Sequence, residues 1–324
     1  MKKINNLYDQ ICSLDNLRLA DKNARLGKTH SKGVLIHDKN KEVNILKLHN
    51  SLINNVYKTS KYDIFKIYEP KEREIYRLPY YPDRIMHHAI MNILEPIWVS
   101  IFTKDTYSCI KNRGIHKLLY QLKNDLKMDF NNTQYCLKID IKKFYPSIDH
   151  DVLKLIIRKK IKDQQLLKLL DEIIDSAKGI PIGNYLSQYF ANLYLAYFDH
   201  WIKEVKHIKY YYRYADDMVF LSNNKIELRE LLNDINLYLK QLKLKLKPNY
   251  QIFSVDIRGI DFVGYVFRHD YILLRKSIKK NMCRKVDKYT NSYNNYVESL
   301  ASYWGWAKHC NSKHLLNKLK YEIK

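Results

Sequence analysis

Two adjacent carboxylates, Asp216 and Asp217, lie between the aromatic run Tyr210–Tyr214 and the apolar run Met218–Leu221. Aromatic and branched side chains favour pleated strands. The stretch therefore predicts a hairpin, with both acids at its turn and rigid backbone on either side. Neighbouring carboxylates repel each other, and a cation relieves the repulsion. Ligands that are all oxygen select a hard ion such as Mg2+. A lone Asp-Asp pair is most often an ordinary turn dipeptide. The order of the segments around it gives this pair its weight.

The chain has 324 residues, enough for one large core or two to three packed subdomains. Lys and Arg number 57 against 34 Asp and Glu, a formal charge of +23. Such an excess points to a polyanion, either nucleic acid or an anionic membrane surface. No apolar run reaches the roughly 18 residues that span a bilayer. The start, Met1-Lys2-Lys3, lacks the apolar core of a signal peptide. A cytoplasmic protein with no membrane partner is expected. The five cysteines, Cys12, Cys109, Cys136, Cys283 and Cys310, are scattered and form no C-x-x-C pair, so buried free thiols are expected. The 28 tyrosines serve mainly as core and strand filling; beside so many cations, some suit stacking on bases.

Along the chain, residues 1 to about 60 read as basic and helical. The loop Gly27–Gly33 lacks the residue order of a phosphate loop. Tyr62–Tyr68 and Glu74–Leu78 alternate like strands around a hairpin tip, where Lys71, Arg73 and Arg77 can present charge to a triphosphate. A helix begins at Pro82-Asp83-Arg84 and is expected to end near Glu95-Pro96. Lys111–His116 opens another, a natural contact for backbone phosphates. Gln134–Asp140 is a strand ending in an acid. Asp149 caps a long helix expected over about 150–175. Lys178–Gln188 is a Gly/Pro loop feeding a strong helix, whose Gly179 and Gly183 allow close backbone approach. A helix follows the Asp216-Asp217 hairpin over about 225–243. Gly259–Phe267 reads as a strand or tight hairpin. The basic tail, 275–324, reads as helices anchored by Tyr303–Trp306, which suits duplex binding.

Taken in order, these segments resemble the reverse transcriptases of bacterial group II introns and retroelements, over roughly residues 60–310. The resemblance is carried by Asp83-Arg84 with His87-His88-Ala89, Arg113–His116, Asp140–Ile148, Gly179–Gln188, Tyr214–Asp217 and Gly259–Tyr265. Within that group the chain is most similar to diversity-generating retroelement enzymes, in Ile182–Gln188, in Gln188–Leu195 with Phe198–His200, and in Asp83–Ala89. One departure is Pro248-Asn249-Tyr250, where relatives often carry Pro-Lys-Lys; Lys247 stands out of register with the lysine general acid expected there.

The resemblance implies an α+β, right-handed polymerase fold. Its parts would be an N-terminal extension (1–60), fingers (61–135), a palm with part of the fingers (136–267) and a short helical thumb (268–324). It implies an RNA-directed DNA polymerase with two Mg2+ ions (Mn2+ is possible), using Asp140, Asp216 and Asp217 as catalytic ligands and the Ile141 carbonyl as a further one. Nucleotide contacts fall on Lys71, Arg73, Arg77, Tyr145, Ile182 and Gly183. Template and primer contacts fall on Arg113, Gly114, Ser187, Gln188, Tyr214 and Gly264. Tyr145 would act as a steric gate against ribonucleotides. Ile182, standing where accurate relatives have Gln, implies error-prone copying. The partners would be an RNA template, a DNA or RNA primer, dNTPs and a small basic helical accessory oligomer. An antiphage-defence or retron-like enzyme copying its own noncoding RNA, and a non-catalytic RNA-binding scaffold, are the alternatives.

Overall fold

The computed structural model describes residues 3–68, 72–289 and 296–321. Helices and short antiparallel sheets alternate along the chain in an α+β architecture. The chain forms two compact units that interleave in sequence. One comprises residues 1–104, 142–201 and 238–245; the other comprises 105–141, 202–237 and 246–324.

In the first unit, strands β1 (Asp63–Ile67) and β2 (Arg73–Arg77) form an antiparallel ladder, Asp63 opposite Arg77 and Ile67 opposite Arg73. The tip residues 69–71, Lys71 among them, lie outside the described residues. The helix Ile85–Val99 buries the expected face, Ile85, Met86, Ala89, Ile90 and Leu94. It runs past Pro96, where it was expected to stop. Proline removes only one backbone donor, and Ser100 N–H closes the last turn on the Pro96 carbonyl at 3.2 Å. The helix expected over 150–175 is two helices, His150–Lys160 and Gln164–Asp175. Asp163 makes the break. Its carboxylate caps the second helix through Leu166 N–H (3.2 Å) and also accepts Leu7 N–H (2.7 Å) and Tyr8 N–H (3.0 Å). Asp149 caps the first as expected, accepting Val152 N–H at 3.1 Å. The helix Tyr185–His200 is buried on nearly every side, and Trp98 packs its ring against Tyr189 and Phe190.

The second unit is built on a four-stranded antiparallel sheet. Its strands are β3 (Tyr135–Asp140), β4 (Tyr210–Tyr214), β5 (Asp217–Ser222) and β6 (Gln251–Ser254), in the order β4-β5-β3-β6. Leu118, Leu119, Leu122 and Leu126, on the helix Ile115–Met128, pack with Tyr210, Tyr212, Val219 and Leu221 in its core. Met218, Phe220 and Tyr211 are buried as well, so both faces of β4 and β5 are covered. Gly259–Phe267 is a hairpin, and with one more strand it makes a second sheet: β7 (Ile260–Phe262), β8 (Tyr265–Phe267) and β9 (Ile272–Leu274). Trp306 lies on its turn; a Cβ at Gly264 would stand 2.3 Å from the Trp306 ring. Met282, Val286, Leu300 and Leu319 form a separate small core in the helical tail. Cys12 and Cys136 are buried as expected, but Cys109 is exposed, in a turn where its φ is +57°.

His87, in the helix Ile85–Val99, is buried and its Nε2 has no hydrogen-bond partner among the described residues. Burial, with the charges of His88 and Arg84, pushes its pKa down to about 3. The unfolded chain takes up a proton near the ordinary histidine value, about 6.5. The folded chain refuses that proton until about pH 3. Stability contributed by the neutral ring is therefore present above pH 6.5 and declines as pH falls through this window, by at most about 1.4 kcal/mol per pH unit. Urea unfolding between pH 4 and 7 should show a shallower decline in His87→Gln than in the wild type; parallel profiles would contradict the assignment.

Candidate active site

Asp140 ends β3 and stands directly opposite Asp217, the first residue of β5. Asp217 also pairs with Tyr214 on β4, which leaves Ala215 and Asp216 as a two-residue turn. Ala215 takes a φ of +55° to close it. The turn is pinned from below. The Arg213 Nη1 donates to the Ala215 carbonyl at 3.1 Å, and the Arg213 backbone is held by Asp105 O (2.9 Å) and Tyr107 N–H (3.0 Å). Arg213 is fully buried. Sequence reasoning passed over it as a strand position, although a lone cation inside an aromatic strand was a visible signal.

Burial raises the Asp216 carboxyl to about 6, and the Asp140 charge adds to the rise. Asp217 is also raised to about 6 by burial, with Lys138 opposing and Asp140 and Asp216 adding to it. Asp140 Oδ1 and Asp217 Oδ1 are buried without a hydrogen-bond partner among the described residues. Three crowded carboxylates, two of them with an unsatisfied buried oxygen, fit a hard divalent cation. Among the described residues, however, no three His, Cys, Asp or Glu side chains are already gathered as a metal cage. Ammonium groups stand beside the acids instead. Lys247 Nζ donates to Asp140 Oδ2 at 2.5 Å, and Lys138 Nζ is 3.6 Å from Asp217 Oδ2.

The sequence reading set Lys247 out of register with the expected general acid, and did not foresee its contact with Asp140. The Lys247 N–H donates to the Asp140 carbonyl at 2.8 Å, and Leu246 bridges Ile141. That short antiparallel pairing draws the lysine back onto the acid, a long-range effect that residue counting could not show. The bonds flanking the bridge are Lys142 N–H to Lys245 O and Lys247 N–H to Asp140 O, so Ile141 gives neither its N–H nor its carbonyl to that ladder.

The first unit gathers most of the residues expected to meet a nucleotide. Tyr145 is half-buried in the turn Phe144–Ser147, and its carbonyl accepts Ile180 N–H at 2.9 Å. A Cβ at Gly179 would lie 2.7 Å from the Tyr145 and Pro146 carbonyls, so only glycine lets the loop lie on that turn. On the loop's other side, the Ile182 carbonyl accepts Tyr76 N–H at 2.8 Å. A Cβ at Gly183 would come within 3.0 Å of the Tyr76 carbonyl. Tyr76 lies on β2, between the exposed Arg73 and Arg77. Arg77 is engaged with Asp63 and lies over the Phe65 ring.

Of the residues expected to contact template or primer, Gln188 is exposed, whereas Ser187 is buried in its helix. Arg113 donates to the Thr106 carbonyl at 3.2 Å. Gly114 precedes the helix Ile115–Met128 with a φ of +133° and open space around it. Tyr214 is half-buried, and Gly264 is buried in the β7–β8 turn.

A family model described as reverse transcriptase (RNA-dependent DNA polymerase) matches residues 69–267. The retron Ec73 reverse transcriptase of Escherichia coli is 29% identical over 53% of this chain and 58% of its own length. The group II intron-encoded protein LtrA of Lactococcus lactis is 26% identical over 40% of this chain and 23% of its own. The protein YkfC of Escherichia coli is 26% identical over 43% of this chain and 40% of its own. In each case the match spans less than two thirds of the relative. Apo telomerase from Candida tropicalis shares the fold with a TM-score of 0.52 at 13% identity, covering 70% of this chain and 52% of that one. With more than half its length matched by the family model, the chain belongs to the reverse transcriptase family.

Proposed function

We propose that the chain is an RNA-directed DNA polymerase, a nucleotidyltransferase that extends a DNA or RNA primer with dNTPs on a cognate RNA template. The observation that carries this reading is the pairing of Asp140 with Asp217 beside the Asp216 turn, with one buried, unpartnered oxygen on each of the paired acids. A scaffold that only bound RNA would have no use for repelling acids held this way. In this reading residues 1–60 are a basic extension, 61–135 fingers, 136–267 palm and 268–324 thumb.

Two Mg2+ ions would supply charge neutralisation for the triphosphate and a lowered pKa for the primer 3′-OH; Mn2+ can stand in. Asp140 and Asp216 would hold both, Asp217 would assist on the primer side, and the Ile141 carbonyl would add a ligand. Asp140 Oδ1 is open to a ligand role as it stands, and for Asp140 to serve two ions with both oxygens Lys247 must release Oδ2. Its ammonium then remains beside the reacting phosphates as a mobile cation. Arg213, by fixing the Ala215 carbonyl, keeps Asp216 at one height in the turn. Arg73, Arg77 and Lys71 would meet the triphosphate, and Ile182 and Gly183 the nascent pair. Gly264, Tyr214, Arg113, Gly114, Ser187 and Gln188 are proposed for template and primer. Positioning and charge supply most of the rate.

Copying is proposed to be error-prone, as in diversity-generating retroelements, because Ile182 cannot hydrogen-bond to a base and leaves discrimination to shape. A small basic helical oligomer would then be an accessory partner. The similarity to a retron reverse transcriptase favours a second reading, an enzyme that copies its own noncoding RNA in the manner of retrons or phage defence. Sequencing the cDNA made in cells separates the two.

Primer extension with dNTPs and Mg2+ tests the activity itself. Asp216→Asn should lower the rate by at least about 10²-fold; a variant that extends normally would remove the assignment. Tyr145→Ala should admit ribonucleotides, which differ by the 2′-OH that the ring is proposed to exclude; unchanged sugar selectivity would count against the gate. Ile182→Gln should reduce misincorporation, above all opposite template adenine, and an unaltered error spectrum in sequenced products would sink that role.

A further inference from the structure

Lys138 lies two residues before Asp140, on the same face of β3, because side chains alternate along a strand. Nothing in the proposed chemistry above uses it. It is only 22% exposed, and its ammonium faces two groups at once. One is Asp217 Oδ2, at 3.6 Å. The other is the backbone carbonyl of Asp261 on β7, to which it donates a hydrogen bond. The Asp261 carboxylate accepts Arg275 Nε at 2.6 Å, and the Arg275 backbone N–H donates to the Gly264 carbonyl at 2.9 Å. A continuous polar chain therefore runs from Asp217 through Lys138, Asp261 and Arg275 to the glycine turn of the β7–β8 hairpin. All of it lies within one compact unit.

An ordinary solvated lysine keeps its stem on apolar surface and its head in water. Lys138 instead directs its head inward, to an acid on one sheet and a carbonyl on the other. Lysine is well suited to this, since it has three donors on one charge and no acceptor to satisfy. Lys247 is not available for the task, being engaged with Asp140.

We propose that Lys138 is a positioning residue for nucleotidyl transfer, tying the primer-side carboxylate Asp217 to the β7–β8 hairpin so that the two are held in fixed register. The role rests on the polymerase reading above. Lys138 does not touch the reacting atoms. It sets where Asp217 sits relative to the hairpin that carries Gly264, so a loose Lys138 loosens metal binding and primer placement together and leaves dNTP binding alone.

Lys138→Met keeps the length and the apolar stem and removes both contacts. Its first readouts need no catalysis: the thermal stabilisation of the protein titrated with MgCl2, and hydrogen exchange of the amides of residues 260–266. The variant should need about tenfold more Mg2+ for half-maximal stabilisation and should exchange faster across the hairpin. In primer extension its kcat should fall about tenfold or more with the KM for dNTP unchanged. Lys138→Arg, which retains charge and donors, should restore all three. Arg275→Gln cuts the chain at its far end, and should speed exchange at 260–266 while leaving the Mg2+ titration as in the wild type. It also serves if the methionine variant does not fold. A wild-type Mg2+ titration in Lys138→Met, or unaltered exchange in Arg275→Gln, overturns the proposal. A wild-type protein that extends no primer overturns the polymerase reading instead, and the titration and exchange results then still decide whether Lys138 couples Asp217 to the hairpin.

Discussion

Asp140 and Asp217 face each other across an antiparallel ladder, and much of the second unit answers that one pairing. Like charges directly opposite on a sheet destabilise it, and burial deepens the conflict. The fold meets it in three ways. Apolar and aromatic residues on both faces of β3 and β5 hold the strands in register regardless of what stands at their ends. Arg213, buried beneath the turn, fixes the Ala215 carbonyl, so Asp216 cannot swing away from its neighbours. Lys247 and Lys138 then bring positive charge to the outer oxygens, leaving one oxygen on each acid buried and unpaired. A stability-only design would have replaced these acids. Acids held at such a cost are the feature on which the proposed chemistry rests.

The strands that carry the acids were legible because they are strongly patterned. Tyr210–Leu221 has strand composition throughout with one interruption, and β3 ends at an acid that the sequence places plainly. The Gly179–Gly183 loop was legible for a different reason. Glycine spacing reports where backbones come close, and the structure puts the Tyr145 turn against one end and β2 against the other. What escaped the sequence depends on contacts between distant segments. No glycine or proline interrupts residues 150–175, so the helix break goes unmarked until Leu7 and Tyr8 are seen donating to Asp163. Lys247 looks misplaced by counting, and only the Ile141–Leu246 bridge returns it to the acids. Pro96 illustrates the opposite error, a local signal overridden because its position near the helix end made the missing donor inexpensive.

The loop also shows how a site separates what must be invariant in shape from what is free to vary. The Ile182 backbone is committed, since its carbonyl is bonded to Tyr76 N–H on β2. Its side chain is only half-buried and carries no hydrogen bond. The residue type at 182 can therefore change while the loop keeps its path, and any effect of a change is felt by whatever the side chain touches. Tyr145 is held in the same manner, with its carbonyl fixed to Ile180 N–H while the ring stands half-exposed. Rigid backbone with adjustable side chains is the arrangement that lets one catalytic chemistry serve differing selectivities.

The same separation bears on the metal. A cage formed in advance from three carboxylates would bind a cation tightly and release it reluctantly, and it would be costly to fold without one. Here two lysines on neighbouring backbone stand against the acids, so folding does not have to wait for a metal. The ammonium of Lys247 reaches Asp140 on a flexible stem, whereas Lys138 also donates to the Asp261 carbonyl and so is held at a second point. The two cations therefore differ in kind. In the proposed reading, one would be a placeholder that a cation displaces from Asp140, and the other a support that keeps Asp217 aligned. Asymmetry of this sort follows from their anchoring alone, since both are lysines of equal charge and each touches one oxygen of one acid.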